Sequence, residues 1–371
     1  MKSIFQIPLI VLLLIGNQED VKRISSFKTT RVVMDTAPEF FVLEWKEGMR
    51  LTERETEFFI QVDSMGRQEV VALLDEKETP FLYTSDISTP VCADGDCKLM
   101  NIKLYWTLLG EYAGFDRYPG LPLTKHDHDE FKIEDYQKLH ALLTDDKSIL
   151  GRRSVDQLVE KPKMRSVNGV DAVSGATIAR VKESVVSGAL YSCYTAWHLV
   201  HGEIREQLKA FSLTVLNEAM TINMLYSVND DYQLFALGKI GSPKYKQHYK
   251  QIAKVFETST PLVRSIIAKR LVSKYKDAPD LQKPFWDAFD TVDSGSRSLM
   301  INCLGDAPDY VPYILSKKLS AMSKNQLKRY LKHLNRKEEM NPKVKNNIAA
   351  FANLDYQTYA YLAKEFLDGK K

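Results

Sequence analysis

The sequence lacks an internal apolar run long enough to cross a membrane. A helix that spans a bilayer needs roughly 20 consecutive apolar residues, and no internal stretch of this 371-residue chain reaches that length. Excess charge is also small, since 51 Lys and Arg face 48 Asp and Glu, a formal net charge of +3. That balance does not by itself indicate a nucleic-acid-binding protein. We therefore expect no transmembrane span and no nucleic-acid partner.

Familiar catalytic signatures are missing as well. The chain has no nucleophile elbow, no phosphate-binding loop ending in Lys and no dinucleotide fold signature. It shows no carboxylate pair at a spacing typical of glycoside hydrolases. A dispersed triad is defined by geometry and would escape such a search. Whether the protein is an enzyme stays open.

Cysteine is scarce, with four residues in the chain. Cys92 and Cys97 bracket an Asp-Gly turn in VCADGDCKL, which favours a short disulfide in an oxidising compartment. A metal pair is the weaker alternative because zinc sites normally need four ligands, and a redox-active disulfide is a third. Cys193 and Cys303 lie in apolar helical contexts and are predicted to be buried free thiols.

The first residues, MKSIFQIPLIVLLLIGNQED, place one Lys before an apolar stretch that ends near Gly16. This pattern predicts a signal peptide over residues 1–17 and a mature protein in the periplasm or another extracytoplasmic space. A buried first helix or strand is the alternative, which Pro8 and the abrupt change to NQED disfavour.

The fold class predicted is α+β, beginning with an N-terminal α+β extension over residues 28–97. Within it, RVVMDTAPEFFVLEW is predicted to be extended. LTERETEFFIQV is predicted to be a helix, because Thr52 and Glu55 form a capping-box pattern before apolar residues at helical spacing. The next segment, MNIKLYWTLLGEYAGFDRY, predicts a β-hairpin that turns around Leu109-Gly110.

Helices are predicted for most of the remaining chain. IEDYQKLHALLTDD has the pattern of an amphipathic helix, and IARVKESVVSGALYSCYTAWHLVHG is predicted to be one long helix. The small residues Ser187-Gly188-Ala189 in the middle of this helix then imply that another element packs closely against it. Over residues 205–371, amphipathic segments recur at roughly 30 to 35 residues, which predicts a HEAT-like solenoid, with an irregular helical bundle as the alternative.

Charge is unevenly divided along the chain. Residues 203–371 contain 27 Lys and Arg against 18 Asp and Glu, about +9, which leaves about −6 for the rest. A basic helical region can meet an acidic partner or anionic lipid headgroups. The alternative is an ordinary solvated surface.

Small residues mark the junction between an extended segment and a helix in VDAVSGATIARV. A helix N-terminus binds phosphate readily, and Gly175 and Ala176 leave the backbone uncovered for close approach of a ligand. Ser174 and Thr177 add hydroxyls, and Asp171 can orient a hydroxyl or hold a cation. The alternative is that Ser174 only caps the helix and the small residues serve packing.

DAVSGAT resembles the attachment motif of the FMN-binding domain, an extracytoplasmic module of sodium-pumping NADH:quinone oxidoreductase and of a related electron-transport complex. In that family a flavin transferase joins FMN through its phosphate to the last Thr of the motif. The resemblance implies that Thr177 carries FMN, with Asp171, Ser174, Gly175 and Ala176 around it. It covers about residues 98–200 and implies an FMN-binding-like domain over 98–204.

Two hypotheses about function follow from the resemblance. The first is an exported electron-transfer flavoprotein that relays electrons from a membrane donor to an unknown acceptor, with a redox partner protein and a flavin transferase as partners. The second is a cofactor-free domain of the same fold that serves as an envelope interaction scaffold through its helical region. Ala179, where family members commonly have Ser or Thr, favours the second.

A dense polar run, KHDHDEF, follows the hairpin. Its members are His126, Asp127, His128, Asp129 and Glu130. In a strand both histidines would share one face and could begin a metal site, but a polar loop after a proline is the preferred interpretation. Such a loop could also cover the flavin edge and affect its protonation.

Two further groups are candidates for ligand contacts. His198 and His201 share one helix face, where they could bind a metal or haem, although a helix-end capping role is favoured. Aromatic residues crowd the hairpin and could stack on a flavin ring, but aromatic strands usually fill cores. They are Tyr105, Trp106, Tyr112, Phe115 and Tyr118.

Overall fold

A computed structural model describes residues 32–62, 66–93, 96–126, 129–159, 181, 183–336, 339–354 and 356–369. The segment VDAVSGAT and the first 31 residues lie outside these ranges. None of the helices in the described ranges combines the length and apolarity that a bilayer crossing requires.

The first half of the described chain is one antiparallel sheet. Its strands are β1 (Val33–Met34), β2 (Phe40–Phe41), β3 (Leu51–Val62), β4 (Gly66–Leu74), β5 (Pro80–Ala93), β6 (Asp96–Thr107) and β7 (Tyr112–Arg117). Their order in the sheet is β1-β3-β4-β5-β6-β7-β2. Helices follow the strands, so the predicted α+β class is confirmed.

The sheet is strongly curled. Lys103 Nζ on β6 lies 2.8 Å from Glu53 Oε1 on β3, although β4 and β5 stand between these strands. Three strand spacings would separate β3 and β6 by about 14 Å in a flat sheet. Curling brings the two side chains together across the concave face.

The predicted hairpin is confirmed as β6 and β7. Gly110 in the turn has φ +77°, a conformation that side chains with a Cβ rarely adopt. Thr107 N donates to Glu111 O at 2.8 Å, and Gly110 N donates to Thr107 O at 2.9 Å, which closes the turn. Leu108 and Leu109 beside it are buried.

The predicted helix LTERETEFFIQV is wrong, because this segment is strand β3. It pairs with β4 from Thr52↔Leu74 to Val62↔Gly66, with an irregularity between Glu55 and Phe59. The capping-box pattern is a local signal, and the ladder formed with β4 outweighs it. Consequently residues 32–62 and 66–93 contain no helix.

The second half is helical. The helices are α1 (Ile133–Thr144), α2 (Leu190–His201), α3 (Glu203–Val215), α4 (Glu218–Tyr226), α5 (Asp230–Lys239), α6 (Ser242–Gln247), α7 (Tyr249–Thr258), α8 (Pro261–Lys274), α9 (Lys283–Asp287), α10 (Ser294–Asn302), α11 (Val311–Ser316), α12 (Lys324–Asn335), α13 (Pro342–Ala352) and α14 (Ala360–Asp368). The prediction of helices throughout residues 205–371 is confirmed.

The long helix predicted through Ser187-Gly188-Ala189 is wrong. Helix α2 begins at Leu190, and residues 183–189 form turns and a bend. Gly188 has φ +73°, which an α-helix cannot contain. The small residues therefore lie in a turn before the helix and not in its middle.

Helices after α4, except the short α6, pack in two rows. One row runs α5, α8, α10, α12, α14, and the other runs α7, α9, α11, α13, with each helix contacting the next in its row. This alternation is the order produced when successive helical pairs stack on one another.

The helices and the sheet share one core. Trp106 Nε1 on β6 donates to Val200 O on α2 at 3.4 Å. Tyr232 on α5 reaches the sheet with its hydroxyl, which accepts from Leu108 N at 2.6 Å and donates to Phe81 O at 3.1 Å. The sheet and the start of the helical region are thus joined by buried hydrogen bonds.

Candidate functional site

The described residues on either side of the segment that contains VDAVSGAT lie in this shared core. Leu158 before it and Val181 after it are fully buried, and both belong to the same hydrophobic cluster. Val181 O accepts from Ser184 N at 3.1 Å and Val185 N at 3.0 Å. The predicted cofactor residues lie outside the described residues: Asp171, Ser174, Gly175, Ala176 and Thr177.

A cleft of about 150 Å³ opens beside the chain that follows this segment. It lies where the start of α2, the β5–β6 hairpin and the loop 123–126 meet. Its lining includes Val91, Lys98, Met100, Lys125, His126 and Tyr191. Pockets for drug-sized ligands usually measure 300–1,000 Å³, so this cleft by itself is smaller than a site for such a ligand.

Backbone contacts hold the loop of the cleft against the turn before α2. His126 N donates to Gly188 O at 2.7 Å, and Ser192 Oγ donates to Thr124 O at 3.5 Å. A Cβ on Gly188 would lie 3.5 Å from Lys125 Cβ, so the two segments are in contact. The sequence predicted a loop here, and the structure shows which turn it packs on.

The described lining of the cleft is basic. Lys98, Lys125 and His126 are among the lining residues, and no Asp or Glu is. Lys125 Nζ is paired with Asp135 Oδ2 at 2.8 Å, which leaves Lys98 as the cation without an ion pair to a described residue. An anionic ligand group suits such a lining better than a cationic one.

His198 and His201 are held by carbonyl groups of other elements. His198 Nε2 lies 3.1 Å from Leu150 O, and His201 Nε2 lies 2.7 Å from Leu143 O in the last turn of α1. The favoured prediction that these histidines cap their own helix is wrong, because His198 contacts a carbonyl of the short 3₁₀ turn at Leu150 and His201 contacts a carbonyl of α1. Within the described ranges no group of His, Cys, Asp and Glu is arranged to hold a metal.

From the burial of these two histidines we expect the protein to be less stable in mild acid. Burial lowers the pKa of His198 and His201 in the folded protein, whereas the unfolded pKa is about 6.5. The unfolded chain then binds more protons below that pH, so the free energy of unfolding falls as pH drops from 7.5 to 5.5, by on the order of 1 kcal/mol. Urea denaturation of His201→Gln over this range should give a shallower slope, and an unchanged slope would contradict the assignment.

The aromatic residues of the hairpin divide between the two faces of the sheet. Trp106, Tyr112 and Phe115 belong to the main core. Tyr105 belongs to a smaller cluster on the concave face, where its hydroxyl donates to Asp116 Oδ2 at 2.6 Å. The core interpretation is confirmed for these four residues, whereas Tyr118 is only half-buried.

The concave face of the sheet carries a cluster of polar side chains that the sequence did not predict. Lys103 stands opposite both Asp86 and Asp116 in the strand register, and Tyr118 donates to Asp86. Burial, then the carboxylate of Asp116, raises the pKa of Tyr105. Period-2 alternation in NIKLYWT places Lys103 and Tyr105 on one face and could have shown part of the group. These side chains form hydrogen bonds and ion pairs with their neighbours on this face, so we interpret the cluster as structural.

The cysteines are arranged largely as expected. Cys92 and Cys97 lie opposite each other in the β5–β6 register, and their disulfide stays a prediction. Cys193 is free and buried, as expected, whereas Cys303 is free but only half-buried. Burial raises the pKa of the Cys193 thiol to about 12, which keeps it protonated and unreactive.

Comparison with known proteins gives no relative for the chain: no protein-family model, no curated protein and no solved structure matches it.

Proposed function

We propose that the protein is an exported electron-transfer flavoprotein that carries FMN linked through a phosphoester to Thr177. It would relay electrons between a membrane donor and an acceptor. The observation that carries the proposal is DAVSGAT, with its resemblance to the attachment motif of the FMN-binding domain. FMN supplies one- and two-electron transfer when bound, and the protein holds and tunes it.

A cleft beside the start of α2, the described helix that follows the motif in the sequence, supports this proposal. The cleft combines a basic lining with an aromatic side chain, Tyr191. Lys98 offers a positive charge to a phosphate or to a reduced, anionic flavin. Asp171, Ser174, Gly175 and Ala176 would surround the attachment point, as the resemblance implies. Residues 98–204 would then be the FMN-binding-like domain.

The helical region would be the docking part. Its two rows of stacked helices support a HEAT-like solenoid over residues 205–371. Solenoids present extended surfaces to partner proteins, which suits a carrier that must meet a donor and an acceptor in turn.

Flavin colour after denaturation tests the proposal. The protein is exported from cells that express a flavin transferase, unfolded in guanidinium chloride and desalted. A covalent flavin should remain with the chain and be absent from protein made without the transferase. Colourless protein from both hosts would contradict the proposal.

The second candidate is a cofactor-free scaffold of the same fold. Ala179 places no hydroxyl two residues after Thr177, and the helical region forms almost half of the chain. This candidate predicts that the protein is colourless whether or not the host expresses the flavin transferase. It also predicts that residues 205–371 still bind a partner.

A further inference from the structure

Helix α12 displays a row of four cations. Lys324, Lys328, Lys332 and Arg336 are spaced four residues apart, and all four are exposed. Residues at i and i+4 lie on one side of a helix, so the row extends over about 18 Å. The opposite side of α12 is buried through Leu327 and Leu331, among others.

This row is unfavourable for the helix itself. Like charges at i and i+4 destabilise a helix, and Lys324 is a cation at the positive end of the helix dipole. Helix α12 contains no Asp or Glu, and none of the four cations forms an ion pair with a described residue. By contrast, Lys246 and Lys318 of the same helical region are paired with carboxylates.

An exposed tyrosine stands at one end of the row. Lys324 Nζ lies 5.8 Å from the centre of the Tyr361 ring, and 42% of Tyr361 is exposed. A hydrogen bond with Tyr361, and more weakly the carboxylate of Glu365, raises the pKa of Lys324. Tyrosine is enriched where a protein meets the headgroup region of a membrane.

We propose that the cation row of α12, with Tyr361 beside it, binds the surface of an anionic lipid membrane. Basic residues near such a surface each strengthen binding about fivefold, and the exposed ring of Tyr361 suits the headgroup region. The interaction would hold the protein at the membrane, and it does not depend on the flavin.

The competing occupant is a second copy of this chain. Residues 32–159 contain 14 Lys and Arg against 25 Asp and Glu, a formal charge of −11. We favour the membrane because the row lies on one exposed side of α12 with Tyr361 at its end, whereas carboxylates of the sheet such as Glu39, Glu53 and Glu78 are already paired with cations.

Vesicle sedimentation with the full chain tests the proposal. One variant changes Lys324, Lys328, Lys332 and Arg336 to Gln, which has a helix propensity close to that of Lys. The matched control makes the same change at four other exposed cations: Lys250, Lys254, Lys269 and Lys276. Each protein is mixed with vesicles of phosphatidylglycerol and phosphatidylcholine, or of phosphatidylcholine alone.

We expect the wild type and the control to bind the anionic vesicles and the row variant to bind about 600-fold more weakly. Binding should also disappear in 1 M salt, where the Debye length is about 3 Å. Thr177→Ala should bind like the wild type. Equal losses in the row variant and the control, or equal binding to neutral vesicles, would overturn the proposal. So would self-association that is lost in the row variant without any vesicle binding.

Discussion

Gly110→Ala should destabilise the protein by about 3 kcal/mol or more, and should lower the yield of folded protein. Gly110 has φ +77°, and a Cβ at this position would lie 2.2 Å from the backbone oxygen of Arg205. That oxygen belongs to the first turn of α3 and cannot move without shifting the helix. The substitution thus strains the β6–β7 turn and separates it from the helices.

The matched control for this prediction is Gly120→Ala. A Cβ on Gly120 meets no atom within 4 Å, and its φ is outside the left-handed region. Urea denaturation of the two variants should give a much lower midpoint for Gly110→Ala and a midpoint near wild type for Gly120→Ala. Similar midpoints would show that the turn is not held against α3 as described.

Tyr232→Phe should cost about 2–4 kcal/mol in free energy of unfolding. The buried hydroxyl accepts from Leu108 N and donates to Phe81 O, so its removal leaves the buried Leu108 N–H and the partly buried Phe81 O without this partner. Each unpaired buried group costs about 1–3 kcal/mol. The substitution would weaken the contact between α5 and the sheet.

The control for Tyr232 is Tyr226→Phe. Tyr226 is 45% exposed, and its hydroxyl lies 3.2 Å from His248 Nδ1 at the surface. Water can replace that partner, so we expect a change within about 0.5 kcal/mol. Equal effects of the two variants in urea denaturation would contradict the role given to Tyr232.

Parts of the fold that depend on local signals could be predicted from the sequence. The β6–β7 hairpin followed from β-prone runs on both sides of Leu109-Gly110, and α1 followed from its amphipathic pattern. The helices after residue 205 followed from repeated apolar periodicity. In each case the residues that define the element lie within a few positions of one another.

Other parts depend on residues far apart in the chain and were missed. Strand β3 exists because β4 pairs with it, a contact that the capping-box pattern of Thr52 and Glu55 does not reveal. The turn before α2 depends on the positive φ of Gly188 and on its contact with the loop at His126. The concave network of Lys103 and Glu53 exists only because the sheet curls across two intervening strands.

Peptide mass spectrometry of the exported protein, made with a flavin transferase, tests the central claim most directly. The account predicts that the peptide containing Thr177 gains the mass of FMN less water, and that Thr177→Ala gains nothing. An unmodified Thr177 peptide from the wild-type protein would contradict the flavoprotein account.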